Sequence, residues 1–136
     1  MQRYLGGFEG YGFALLRVIL AFLYFSHGPK WLWGWFGGRP PVGDLLRFKV
    51  AGTLEIVCGI LIAIGLLTSW AAFLACGEMA VAYYIAHVPR GSWMPIMNGG
   101  EITVALCFGF LYIAMRGAGP YSVDAWLASR SRRNGV

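Results

Sequence analysis

Apolar residues run along this chain in four long blocks, at about residues 11–30, 49–68, 70–88 and 99–116, separated by polar or glycine- and proline-rich joints. Each block approaches the roughly 20 residues that a helix needs to cross a bilayer core about 30 Å thick. The blocks do not alternate and are too long for strands, so the pattern predicts helices. The expected fold is all-α: an integral membrane bundle of four transmembrane helices over residues 1–117, followed by a basic C-terminal tail over 118–136. A cleaved signal peptide fits the first block poorly, because Arg17 interrupts it and no small-x-small site follows.

The joints differ in kind. A tight turn near Thr68, Ser69 and Trp70 makes the second and third helices an antiparallel hairpin. The first joint, residues 31–48, carries Trp31, Trp33 and Trp35 among glycines and prolines, and the third, residues 89–98, carries Trp93. Tryptophan suits the headgroup level, where one side of the ring is apolar and the other wet. Both long joints leave the same side, the loop face. Cations do not orient the bundle: Arg3, Arg116, Arg130, Arg132 and Arg133 on the terminal face balance Lys30, Arg39, Arg47, Lys49 and Arg90 on the loop face. Small residues at Gly52 and Gly59, at Ala72, Cys76 and Ala80, and at Ala105 and Gly109 predict close helix contacts.

Composition agrees with a membrane location. Hydrophobic residues make up 58% of 136 residues, charged residues 12%, and the mean hydropathy is +0.61. A water-soluble domain carries about 25% charged residues. Disordered, collagen-like and disulfide-scaffold classes are excluded on the same figures. The net charge of +5 is spread without a basic face, which argues against nucleic acid. Arg130, Arg132 and Arg133 suit either anionic lipid headgroups or a solvated terminus.

Charge inside the apolar blocks is the informative feature. Glu55, Glu78 and Glu101 are half of the six acidic residues and fall on three different blocks, and Arg17 falls on the fourth. A charge at mid-bilayer costs at least about 2.5–3.5 kcal/mol on insertion scales. These side chains are therefore expected to point inward and converge on a polar cavity or relay. His27 and His87 lie near loop-face helix ends and join the group, with Trp35, Trp93 and Asn98 as lining residues and Arg17 as the charge partner of the acids. The excess of acid is expected to be relieved by protonation, by histidine or Lys30, or by a cationic ligand. The plainer alternatives are an Arg17–Glu78 packing pair and a Glu101 that only starts a helix behind Asn98, Gly99 and Gly100.

Cys58, Cys76 and Cys107 fall one per block, with no C-x-x-C, so neither a thioredoxin-type pair nor a local zinc knuckle is expected, and small inert core residues describe them best. The two histidines lie on one side, which does not suit axial haem ligation. No metal site is expected.

These residues together resemble the DoxX family of small four-helix bacterial membrane proteins. The resemblance rests on Gly77-Glu78, the His87-x-Pro89-x-Gly91 loop, Asn98-Gly99-Gly100-Glu101 and Ser122-Val123-Asp124 within residues 77–124. Arg17, His27, Gly28, Lys30, the run Gly34-Trp35-Phe36-Gly37 and Glu55 extend it over nearly the whole chain. It implies a multi-pass protein of the bacterial cytoplasmic membrane with cytoplasmic termini. It also implies an association with sulfur or thiol redox chemistry and the quinone pool.

The leading expectation is a component of a quinone-linked membrane oxidoreductase. Glu55, Glu78 and Glu101 would pass protons, and His27 and His87 would hydrogen-bond the quinone oxygens or a small sulfur substrate. No electron carrier is evident, so a soluble or membrane redox partner is expected. Two other classes stay open: a non-catalytic anchor or assembly subunit for such a partner, and a small proton or solute transporter; a homo-oligomer, a dimer, is expected, and the transporter reading requires it.

Overall fold

The computed structural model describes Tyr4, residues 6–38 and residues 45–134. All of its regular structure is helical. A short 3-10 turn, Gly6–Phe8, leads into α1, Glu9–Trp33. Then come α2, Leu45–Ile64, and α3, Thr68–Ala82. The last turns beyond α3 widen into a π turn at Tyr83–His87 and tighten into a 3-10 turn at Val88–Arg90. A single-turn helix, α4 (Pro95–Asn98), precedes α5, Glu101–Arg116, and α6, Val123–Asn134, closes the chain.

Two helical runs, Gly6–Trp33 and Thr68–Arg90, are long and apolar enough to cross a membrane by length and composition. The exterior supports the same environment: Phe22, Phe73 and Phe108, each mid-helix, face outward. Water would penalise such a surface, whereas hydrocarbon does not. Inside, Phe13, Ala21, Tyr24, Ile62, Ala72, Ala75, Leu106, Phe110 and Ile113 form one core shared by α1, α2, α3 and α5.

Packing is tightest within the pairs α1–α2 and α3–α5. Near the loop face the α1 and α2 backbones touch: a Cβ added at Gly28 would lie 2.6 Å from the Gly52 carbonyl oxygen. This close approach sets α2 against α1 one turn before Glu55. Of the small-residue stripe expected on α3, Ala72 is buried, Cys76 is half-buried and Ala80 is exposed. A four-residue repeat overshoots a helical turn by about 40° per step, so the stripe winds off the core face.

At the other end α2 stops at Gly65, which takes the left-handed conformation (φ 75°) that glycine tolerates best. The Leu66 amide donates to the Leu61 carbonyl at 2.9 Å, completing the cap. Within the 118–136 segment expected as a basic tail, the described residues 118–134 fold back and carry α6. Its Asp124 carboxylate accepts from the Leu67 and Thr68 amides at 2.9 and 3.1 Å, and so caps α3 from 56 residues away. Residues 39–44, with Arg39 of the loop-face cations, and Arg3 of the terminal-face cations lie outside the described residues.

Candidate functional site

The loop-face ends of α1, α2, α3 and α5 enclose a cavity of about 400 Å³. The size falls within the roughly 300–1,000 Å³ of small-molecule sites. Each helix contributes polar groups or small residues. From α1 come His27, Lys30 and Trp31; from α2, Arg47, Ala51 and Glu55; from α3 and its continuation, Glu78, Ala82, His87 and Arg90; from α5, Thr103. Two acids therefore sit inward and three cations line the wall with them.

Glu55 is 4% exposed, and its Oε2 has no hydrogen-bond partner among the described residues. Burying an unpaired carboxyl oxygen costs kilocalories. Glu78, half-buried, accepts a hydrogen bond at Oε2 from the Tyr24 hydroxyl. Tyr24 is itself fully buried, with its ring edge-on to Phe110 at 5.0 Å. Phe13, Arg17, Ala21, Tyr24 and Gly28 form the inner face of α1. Sequence reasoning missed Tyr24, although it stands two turns beyond Arg17 on that face.

Hydrogen bonds assign the His87 tautomer. Its Nδ1 lies 3.3 Å from the Asn98 carbonyl oxygen, which only accepts, so Nδ1 carries the proton. In the neutral ring Nε2 then accepts from the Thr103 hydroxyl at 3.2 Å. The π turn shifts the register by one residue and brings His87 to Thr103. His27 is held the same way, with Nδ1 donating to the Leu23 carbonyl at 2.8 Å, which leaves Nε2 as an acceptor.

The structure thus brings Glu55, Glu78, His27 and His87 to one cavity, and places the other expected site residues elsewhere. Glu101 opens α5 and is exposed. In that first turn Thr103 is buried and lines the cavity, and the Glu101 carboxylate suits the positive helix end. Trp35 is 55% exposed and packs on Trp33, and Trp93 is 75% exposed; neither lines the cavity, whereas Trp31 does.

Asn98 is buried but is a positioning residue rather than a lining one. Its Nδ2 donates to the Tyr83 hydroxyl and the Ser92 carbonyl, and its Oδ1 accepts from the Gly100 amide. Tyr83 in turn donates to the Trp93 carbonyl. Asn98 thereby fixes the loop that holds His87.

Arg17 sits among carbonyls near the terminal face rather than beside Glu55, Glu78 or Glu101. It is 2% exposed and donates to the carbonyls of Ala118, Tyr121 (2.8 Å) and Ala63 (3.5 Å). Depth explains the difference: Tyr24 already reaches Glu78, and Arg17 lies two turns, about 10 Å, further toward the terminal face.

The cysteines pair across helices. Cys76 and Cys107 place their sulfurs 3.7 Å apart between α3 and α5, while Cys58 is buried in the core. Among the described residues, no three His, Cys, Asp or Glu side chains gather closely enough to hold a metal ion.

Known proteins bear on this arrangement as follows. The sequence model of the DoxX family matches residues 12–88. This covers α1, α2 and α3 with Glu55, Glu78, His27 and His87, and overlaps the 77–124 stretch only at its start. The chain is also 40% identical over 123 residues to an uncharacterized protein of Haemophilus influenzae, covering 86% of this chain and 91% of that one. No solved structure matches it.

Proposed function

The chain belongs to the DoxX family of membrane proteins, and from that premise we propose that it is the quinone-binding component of a membrane oxidoreductase acting on sulfur or thiol compounds. On this reading it crosses the bacterial cytoplasmic membrane four times, with both termini cytoplasmic. The 20 residues of α2 reach about 30 Å and the 16 of α5 about 24 Å at 1.5 Å per residue, lengths compatible with crossing beside α1 and α3.

The observation that carries the proposal is Glu55, a buried carboxyl with an unpartnered oxygen in the wall of a cavity lined by two histidines. A quinol supplies two hydroxyl donors and, on oxidation, two protons and two electrons. Glu55 accepts one hydroxyl hydrogen bond. Glu78, steadied by Tyr24, provides a second carboxyl for proton transfer away from the cavity. His27 and His87 offer ring nitrogens at its rim, and His87 exchanges a proton through Thr103. Electrons pass to or from a redox partner.

The test is a titration in lipid nanodiscs with a short-chain quinone, read by the fluorescence of Trp31 in the cavity wall. Wild type is expected to show saturable quenching. Glu55→Leu, which removes one hydrogen bond worth about 1–3 kcal/mol to a buried group, is expected to weaken it about tenfold or more. Quenching that never saturates, or is equal in Glu55→Leu, overturns the proposal.

A further inference from the structure

We propose that the acidic cavity is entered sideways from the bilayer, through a groove between α2 and α3 that seats the apolar tail of the ligand whose head reaches Glu55 and Glu78. The inference rests on the quinone reading for the head and goes beyond it for the tail. A second groove, of about 380 Å³, runs along the outer side of α2 and α3 and is walled by Leu46, Val50, Leu54 and Val81. It adjoins the cavity: Arg47, Ala51, Glu78, Ala82 and Ile85 line both.

The way through follows from the chain. α2 and α3 are tied together at the terminal face by the Gly65–Leu67 turn, and their packing on each other is thinner than that within the α1–α2 and α3–α5 pairs. Toward the loop face, the residues common to groove and cavity include two alanines, Ala51 on α2 and Ala82 on α3. Methyl side chains leave a sill where longer ones would close it. The groove walls are apolar and open outward, with Leu46, Val50 and Val81 all exposed. The inner end offers a half-buried carboxyl, Glu78, and behind it the buried Glu55.

This gradient from hydrocarbon to carboxyl across two adjoining spaces with a shared wall fits an amphiphile with a linear apolar chain and a hydrogen-bonding ring head. A head without a tail needs only the cavity. A phospholipid presents its phosphate at the surface, whereas here the polar end lies inward, next to acids.

The experiment uses two probes on the full chain in nanodiscs: a tail-less benzoquinone and a benzoquinone bearing a decyl tail with a terminal diazirine. The expected result is photolabelling of the 46–54 and 78–85 peptides that excess tail-less quinone suppresses. The double variant Val50→Trp and Val81→Trp, which fills the groove at exposed positions, is expected to raise the Kd of the tailed probe at least tenfold. It should leave the Kd of the tail-less probe within twofold of wild type. Label on other helices, or equal affinity of the tailed probe for variant and wild type, overturns the groove while tail-less binding leaves the head site standing. Groove label that excess tail-less quinone cannot suppress also overturns it, since tail and head would then occupy unconnected sites. If the tail-less probe itself does not bind, the quinone reading falls and the groove proposal falls with it.

Discussion

Glu55 and Asp124 illustrate two uses of a carboxylate in this protein. Glu55 is buried with an unpartnered oxygen, an arrangement that costs stability unless a ligand relieves it. Glu55→Leu is therefore expected to unfold at the same temperature as wild type or higher, by about 1 kcal/mol or more of stability, while losing ligand affinity. A large drop in melting temperature would show that the carboxyl serves packing instead. Asp124 is a cap. Burial alone would push its carboxyl up, but the Thr68 and Leu67 amides, the Thr68 hydroxyl and the Arg17 guanidinium outweigh it and hold the group below the ordinary aspartate value of 3.8. A depressed carboxylate contributes stability that is present above its unfolded value and is lost as pH falls through the lower folded value. Asp124→Asn, which keeps one acceptor oxygen but loses the second and the charge facing Arg17, is expected to cost about 1 kcal/mol at pH 7. Melting curves of the two proteins should converge below about pH 4; a gap that persists in acid contradicts the capping role. The convergence of Glu55, Glu78, His27 and His87 was legible in the sequence because hydrocarbon penalises each of them singly. The partner of Arg17 was not. Complementary charge along the chain suggests Glu78, but pairing depends on depth, and the carbonyls of Ala118 and Tyr121 lie in a segment that the sequence presents as a polar tail.

At the scale of elements, apolar block length located all four main helices, with ends displaced by a few residues: α2 starts at Leu45 rather than near 49, and α5 at Glu101 rather than near 99. The fold-back of α6 was hidden because its function is to cap α3, and a cap supplied from 56 residues away leaves no local signature. The Cys76–Cys107 contact was equally invisible, since one cysteine per helix carries no spacing rule. It provides a direct check of the α3–α5 seam. A membrane-permeant thiol oxidant is expected to close a disulfide between Cys76 and Cys107, protecting both from maleimide and leaving Cys58 as a thiol. Oxidation that joins either to Cys58, or neither to the other, would contradict this packing.

For the whole molecule, the organising feature is an inverted distribution of polarity. Phe22, Phe73 and Phe108 face outward at mid-helix, Glu55 and Glu78 line the inward space, and that space opens at the loop face beside Lys30, Arg47 and Arg90. The sequence conveyed this inversion through composition and the placement of Glu55 and Glu78, but not its boundaries: Glu101, Trp35 and Trp93 share the residue types of a site and lie outside it. Only geometry separates them, because the first turn of α5 directs Thr103, not Glu101, into the cavity. The most direct test is a structure of the protein in lipid nanodiscs with a bound short-chain quinone. The expected result is head-group density between His27, Glu55, Glu78 and His87, with a ring oxygen within about 3.2 Å of the Glu55 carboxyl. A space collapsed by side chains, with the two carboxyl groups apart and turned toward lipid, would contradict it.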